Sequence, residues 1–144
     1  ALAAPKESNE YRTAVMFRSY LQPLADRARF VDPDGEVAPG IRAVAAYGHT
    51  PGHLAYHIES EGKRLLAWGD CAHHEVASLA HPEWHALFDQ DKAGGVAARK
   101  KIYDMAATDR VAVAGYHTSF PSIGYVERRG DAYRWLPVTY QLDF

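Results

Sequence analysis

The chain has 144 residues, 47% of them apolar, with a formal net charge of -2. This length supplies a single hydrophobic core. The charge balance offers no basic surface for nucleic acid, and no apolar run is long enough to cross a membrane. The first residues show no signal-peptide pattern, so the compartment stays unknown. Cys71 is the sole cysteine, which excludes an internal disulfide.

The N-terminal part predicts a helix followed by a turn. Apolar residues recur at three- and four-residue steps over residues 8–29, as an amphipathic helix requires. Ser8 is a candidate N-cap, and Pro23 is expected to kink or split the helix. Residues 31–40 are rich in Pro, Gly and Asp and predict a turn.

The remainder predicts a sheet interrupted by one helix. Three short β-like runs occupy residues 41–47, 54–59 and 64–68, the last two forming a hairpin. A polar stretch follows, and Asp91 is the expected N-cap of a helix, with Asp89 taken as part of the same cap. An apolar strand at 110–117 and a final hairpin complete an α/β layered arrangement.

Histidine and aspartate side chains fall where predicted strands begin or end, at His53, Asp70 and His117. A single histidine is more often structural than functional, but imidazole and carboxylate together are the ligands that hold Zn²⁺, and they also suit Fe(II) or Mn(II). The Pro-Gly bend before His53 allows its ring to be aimed without strain. His49, on the other side of that bend, is expected to support the loop instead.

These residues resemble a known family. "HTPGH" (49–53), "WGD" (68–70) and "GYH" (115–117) look like the third, fourth and fifth metal motifs of the metallo-β-lactamase superfamily. The segment from Phe88 to Val138 is similar to the methyl parathion hydrolase-like enzymes, which lie near the lactonases of that superfamily. The segment 37–53 matches as well, so the resemblance covers nearly the whole chain.

One feature of the family is missing. The first metal motif, His-x-His-x-Asp-His, does not occur in this sequence, and the family's full domain is about twice as long. The resemblance therefore implies that residues 1–144 are a single partial domain. Its fold would be the C-terminal half of a four-layer αβ/βα sandwich, and the beginning of the chain resembles an internal cut.

The resemblance also implies a site. His53 would bind a first metal, Asp70 would bridge two metals and position a hydroxide, and His117 would bind the second. Two zinc ions are expected in the complete domain, with Mn, Fe or Co as alternatives. Phe120 and Ile123, on and just after the loop that follows His117, are expected to line the substrate pocket.

The implied function is metal-dependent hydrolysis, in which a metal-bound hydroxide attacks a small neutral ester, lactone or organophosphate. The 144 residues alone are expected to have little activity, because the N-terminal half or a second chain, as in a homodimer, must complete the site. A β-lactamase or thioesterase of the same superfamily is the nearest alternative. A metal-free binding or interaction module is the alternative from another class.

Overall fold

The computed structural model describes residues 2–138 of the chain, which divides into two units, residues 1–30 and 31–144. In the first unit, helix α1 (Asn9–Tyr20) starts at Ser8, whose hydroxyl accepts a hydrogen bond from the backbone N–H of Tyr11. A 3-10 helix (Gln22–Arg27) follows, with Pro23 in its first turn. The predicted N-cap and the predicted interruption are confirmed, because proline has no N–H with which to continue an α-helix.

Among the described residues, the second unit contains one sheet, whose seven strands lie side by side in chain order. They are β1 (Glu36–Ala38), β2 (Ile41–Ala45), β3 (Leu54–Ser60), β4 (Lys63–Ala67), β5 (Ala112–Ala114), β6 (Ile123–Arg129) and β7 (Ala132–Pro137). Neighbouring strands are antiparallel except β4 and β5, which are parallel. A parallel pair needs a long crossover, and here it contains α2 (Ala77–Ala80) and α3 (Lys92–Asp109).

Helix α3 forms the core of this unit with one face of the sheet. Asp91 caps its start as predicted, accepting a hydrogen bond from the backbone N–H of Gly94 at 2.9 Å. Ile102 and Tyr103 are fully buried in the same apolar cluster as Leu66 on β4. Because side chains alternate across a strand, this packing leaves every second sheet residue on the opposite face.

The opposite face of the sheet is apolar but only partly buried. Ile58 is paired with Leu65, and Leu65 with Ala112, so the three form a row across β3, β4 and β5. Together with Ile123 and Tyr125 they border a hollow of about 530 Å³. No helix of the described residues is both long enough and apolar enough to cross a membrane.

Two predicted segments differ from the structure. The predicted turn at 31–40 contains β1, because the bend at Gly40, where φ is +74°, folds it back onto β2. The predicted strand at 110–117 is shorter, since only Ala112–Ala114 is extended. Arg110 adopts a left-handed conformation that ends α3, and His117 has a φ of +59° within a turn. Apolar composition alone does not register these reversals of the backbone.

Candidate metal centre

The turn between β2 and β3 is held against the start of α3. The backbone N–H of Asp91 donates to the carbonyl of Gly48 at 2.9 Å, and that of Gln90 donates to the carbonyl of His49 at 3.2 Å. Gly48 has a φ of +138°, and a Cβ there would lie 2.0 Å from the backbone nitrogen of Gly95. Only glycine permits this approach, which brings the segment before α3 beside His49.

His53 faces the backbone rather than an open site. Its Nε2 accepts a hydrogen bond from the backbone N–H of Asp70 at 3.0 Å, so its proton lies on Nδ1, which donates to the carbonyl of Ala46 at 3.0 Å. Gly69 permits this contact, because a Cβ there would lie 2.6 Å from Nε2 of His53. With both nitrogens engaged, the expectation that His53 binds a metal gains no support from this geometry.

Asp70 lies between two other histidines. Nε2 of His117 donates to Oδ1 of Asp70 at 2.9 Å, and Nε2 of His49 lies 3.6 Å from Oδ2. The side chain of Asp70 is 31% exposed and that of His49 is 22% exposed, so the site opens to solvent. The sequence-predicted pair Asp70 and His117 is therefore together in space, and the imidazole that faces the other oxygen of Asp70 is that of His49.

Behind His49 lies a buried ion pair. Nδ1 of His49 is 3.2 Å from Oδ1 of Asp89, whose Oδ2 accepts a hydrogen bond from Nη2 of Arg99 at 3.1 Å. The side chains of Asp89 and Arg99 are 1% and 2% exposed. Arg99 also donates from Nε to the carbonyl of Cys71 and from Nη1 to those of Pro82 and Trp84. A buried pair is stable only with such complete hydrogen bonding.

His73 lies beside this pair. Its Nε2 is 3.3 Å from Nδ1 of His49 and 3.7 Å from Oδ1 of Asp89, so the three side chains could each offer one ligand atom to a cation. Burial lowers the pKa of His73 below its usual value. Its ring stacks on those of His117 and Phe88, at centroid distances of 5.9 and 6.2 Å.

His117 lies on an exposed loop. Its side chain is 51% exposed. Two residues later, the backbone N–H and the hydroxyl of Ser119 both donate to the carboxylate of Glu75, at 2.7 and 2.6 Å. These hydrogen bonds lower the pKa of Glu75. Glu75 thus links the loop of His117 to the segment that follows Asp70.

The two residues expected to line a substrate pocket lie on different surfaces of the protein. Phe120 is 86% exposed on the loop after His117. Ile123 is the first residue of β6 and borders the hollow on the open face of the sheet. Their role in binding substrate stays a prediction.

Four of the residues that build this centre were missed or given another role by the sequence. Asp89 is not part of the helix cap, since its carboxylate bonds to Arg99. His49, which we expected to support the loop, also lies with its ring between the carboxylates of Asp70 and Asp89. The missed signals were weak: Arg99 is one basic residue within a helix, and Glu75 one acid in a polar stretch. Only their partners, distant in sequence, reveal them.

Solved structures share this architecture. AidC, a dizinc quorum-quenching lactonase in complex with a product, matches with a TM-score of 0.84 and 22% identity over 93% of this chain and 46% of its own. The hydrolase AbOPH of the beta lactamase superfamily matches with a TM-score of 0.83 and 26% identity over 94% and 47%. The fold is that of the metallo-β-lactamase superfamily.

A third structure, a probable metal-dependent hydrolase from Staphylococcus aureus, matches with a TM-score of 0.61 and 20% identity, covering 80% of this chain and 42% of its own. No family model and no curated protein matches the sequence. The chain spans about half the length of AidC and AbOPH, at 46% and 47%. The predicted α/β fold and the resemblance to hydrolases of this superfamily are confirmed.

Proposed function

We propose that the protein is a metal-dependent hydrolase whose metal centre is organised by Asp70, with His49 and His117 as its imidazole ligands. One observation carries this proposal: the two oxygens of a single carboxylate face two different imidazole nitrogens, at 2.9 and 3.6 Å. Two neutral imidazoles about a shared carboxylate form a donor set that suits zinc, manganese, iron or cobalt. His49 takes the role first expected of His53, because both ring nitrogens of His53 have backbone partners.

Divalent cations bound at this centre would supply a Lewis acid that makes water nucleophilic near neutral pH and polarises the carbonyl or phosphoryl oxygen under attack. The chain's own residues supply the rest. Asp70, whose two oxygens face His49 and His117, holds the shared position between them. Nε2 of His53 accepts a hydrogen bond from the backbone N–H of Asp70 and so orients the Asp70 carboxylate before a metal binds.

A centre of two zinc ions needs more ligands than the described residues offer around Asp70, and the chain spans about half of its structural relatives, 46% of AidC and 47% of AbOPH. We assign the missing ligands to an N-terminal half that covers the open face of the sheet. The apolar row of Ile58, Leu65 and Ala112 on that face supports this assignment. By itself the chain should bind metal weakly and hydrolyse little, and a homodimer is the alternative way to cover the same face.

The substrate we propose is a small neutral ester, lactone or organophosphate. AidC is a lactonase and AbOPH a hydrolase of the same fold, which supports hydrolysis as the reaction class. The exposed Phe120 lies three residues after His117 and offers an apolar wall for such a substrate. A β-lactamase or thioesterase activity would use the same centre, so a substrate panel must include all of these classes.

The proposal is tested by metal binding and by hydrolysis. Zinc or cobalt(II) titrated into the metal-free chain should bind, and Asp70→Asn should weaken binding by at least ~10–100-fold. In the longest natural form of the protein, the same change should lower the rate on its best substrate by at least ~100-fold. Asp131→Asn, in the exposed turn between β6 and β7, is the matched control and should change neither.

Absence of metal after expression in zinc-supplemented medium, together with no hydrolysis of any ester, lactone, phosphotriester, thioester or β-lactam, would favour a metal-free interaction module. Equal activity of the Asp70→Asn and Asp131→Asn variants would overturn the role of Asp70. Sedimentation of the chain as a stable dimer would favour the second chain over the N-terminal half.

A further inference from the structure

The ring of His49 has two nitrogens in different surroundings, and the proposed function requires one of them to be free of hydrogen. Nε2 faces Asp70 at 3.6 Å, whereas Nδ1 faces Asp89 at 3.2 Å. A neutral imidazole carries its single proton on one nitrogen, and only the other can bind a cation. The neighbours of His49 therefore determine which of its two nitrogens carries the proton.

The buried ion pair of Asp89 and Arg99 determines the position of this proton. Asp89 is an acceptor on both oxygens, and Arg99 supplies hydrogen only to Oδ2. Oδ1, buried in a residue whose side chain is 1% exposed, needs a donor of its own, and Nδ1 of His49 is the nearer of the two facing imidazole nitrogens. A buried carboxylate oxygen left without a donor is costly, so the proton of His49 belongs on Nδ1.

We propose that Asp89, held by Arg99, is a positioning residue that keeps the proton of His49 on Nδ1 and so leaves the Nε2 lone pair directed at the metal centre beside Asp70. This inference rests on the proposed function, and it adds the device that prepares the ligand before metal arrives. Carboxylates that orient metal-binding imidazoles in this way are worth about 10–100-fold in affinity.

His73 is compatible with this arrangement. Nδ1–H of His49 can be shared between Asp89 and Nε2 of His73, which lies 3.3 Å away. The proton of His73 is then on its own Nδ1, a buried atom without a protein partner among the described residues. The competing arrangement, with a cation between His49, His73 and Asp89, adds a second positive charge beside the buried guanidinium of Arg99.

The substitution Asp89→Asn gives a sharp test, because Arg99 dictates how the new amide is oriented. Arg99 can only donate, so it must face the amide oxygen, and the amide NH₂ is left facing Nδ1 of His49. Nδ1 must then accept, and the proton of His49 must move to Nε2. The variant should bind zinc at least ~10-fold more weakly than the unmodified chain.

The readout is the tautomer of His49 in the ¹⁵N-labelled, metal-free chain, measured from long-range correlations between ring nitrogens and ring carbon protons at a pH well above ~6.5, where histidine is neutral. We expect the Nδ1–H form in the unmodified chain and the Nε2–H form in Asp89→Asn. The matched control is Asp91→Asn, two residues away at the helix cap, which should keep the Nδ1–H form.

An Nε2–H tautomer in the unmodified chain would overturn the inference even if Asp89→Asn does not fold. An unchanged tautomer in a folded Asp89→Asn variant would overturn it as well. Zinc that shifts the resonances of His73 but not those of His117 would place the cation behind His49 and would also overturn it. If the tautomers behave as expected but zinc does not bind, the proposed function fails while the role of Asp89 stands.

Discussion

The two histidines that flank Asp70 are held in contrasting ways. His49 is backed by Asp89 and Arg99, whose side chains are 1% and 2% exposed and whose hydrogen bonds are made inside the protein. His117 is 51% exposed, and its loop is fastened by surface hydrogen bonds between Ser119 and Glu75. Buried charges are costly to disturb, whereas exposed ones are screened by water. The His49 side of the site is therefore held by buried groups, and the His117 side is held by hydrogen bonds at the protein surface.

The largest expected effect comes from breaking the buried side. Arg99→Met removes the partner of Asp89 and leaves a buried carboxylate unpaired, so the free energy of unfolding should fall by about 3–5 kcal/mol. Urea unfolding measures this, with Lys100→Met on the exposed side of the same helix as the control. Equal stability of the two variants would contradict the buried role of Arg99.

A smaller effect is expected on the exposed side. Glu75→Gln keeps one acceptor oxygen for Ser119 but brings an NH₂ group against the other donor, so stability should fall by about 1 kcal/mol or less. Hydrogen exchange should become faster in the loop that carries His117. Glu83→Gln, whose carboxylate faces His81 instead, is the control and should leave that loop unchanged.

The hydrogen bonds between Ser119 and Glu75, here called the clamp, should make the stability of this loop depend on pH. Because the hydrogen bonds from Ser119 lower the pKa of Glu75 from its ordinary 4.5, the clamp contributes its stability above pH 4.5 and loses it as the pH falls through the lowered value. Amide exchange of Ser119 in native protein below pH 4.5 should then approach that of the Glu75→Gln variant. A loop that stays equally protected down to the acid limit of folding would exclude the carboxylate as its anchor.

The smallest effect is expected in the reactivity of the Cys71 thiol. This reactivity reports whether the buried side of the site, around Asp89 and Arg99, becomes accessible to solvent. Its carbonyl accepts from Arg99, and burial raises the pKa of its thiol to about 12. A thiol reagent at neutral pH should therefore react only after unfolding. Faster labelling in Arg99→Met than in Glu75→Gln would sharpen the contrast between the two sides, and rapid labelling of the native chain would contradict it.

Much of the fold could be predicted from the sequence because its signals are local. Short apolar runs predict β3 and β4, the Gly in "ESEGKR" predicts the turn between them, and Asp91 is the predicted cap of α3. The strand β1 was missed because a three-residue strand is specified by its pairing with β2 and not by its own residues. Apolar runs likewise could not show that β5 is only three residues long.

The sequence by itself determined the fold class and brought Asp70 and His117 forward as a pair, since both follow predicted strands. Our proposal of His49 in place of His53, which flank one bend and have the same chemistry, rests on the tertiary structure alone. It depends on Asp89, 40 residues further along the chain, and on Arg99 behind it. A ring nitrogen becomes available for a metal only when the other nitrogen has its hydrogen-bond partner, and such partners are brought together by folding.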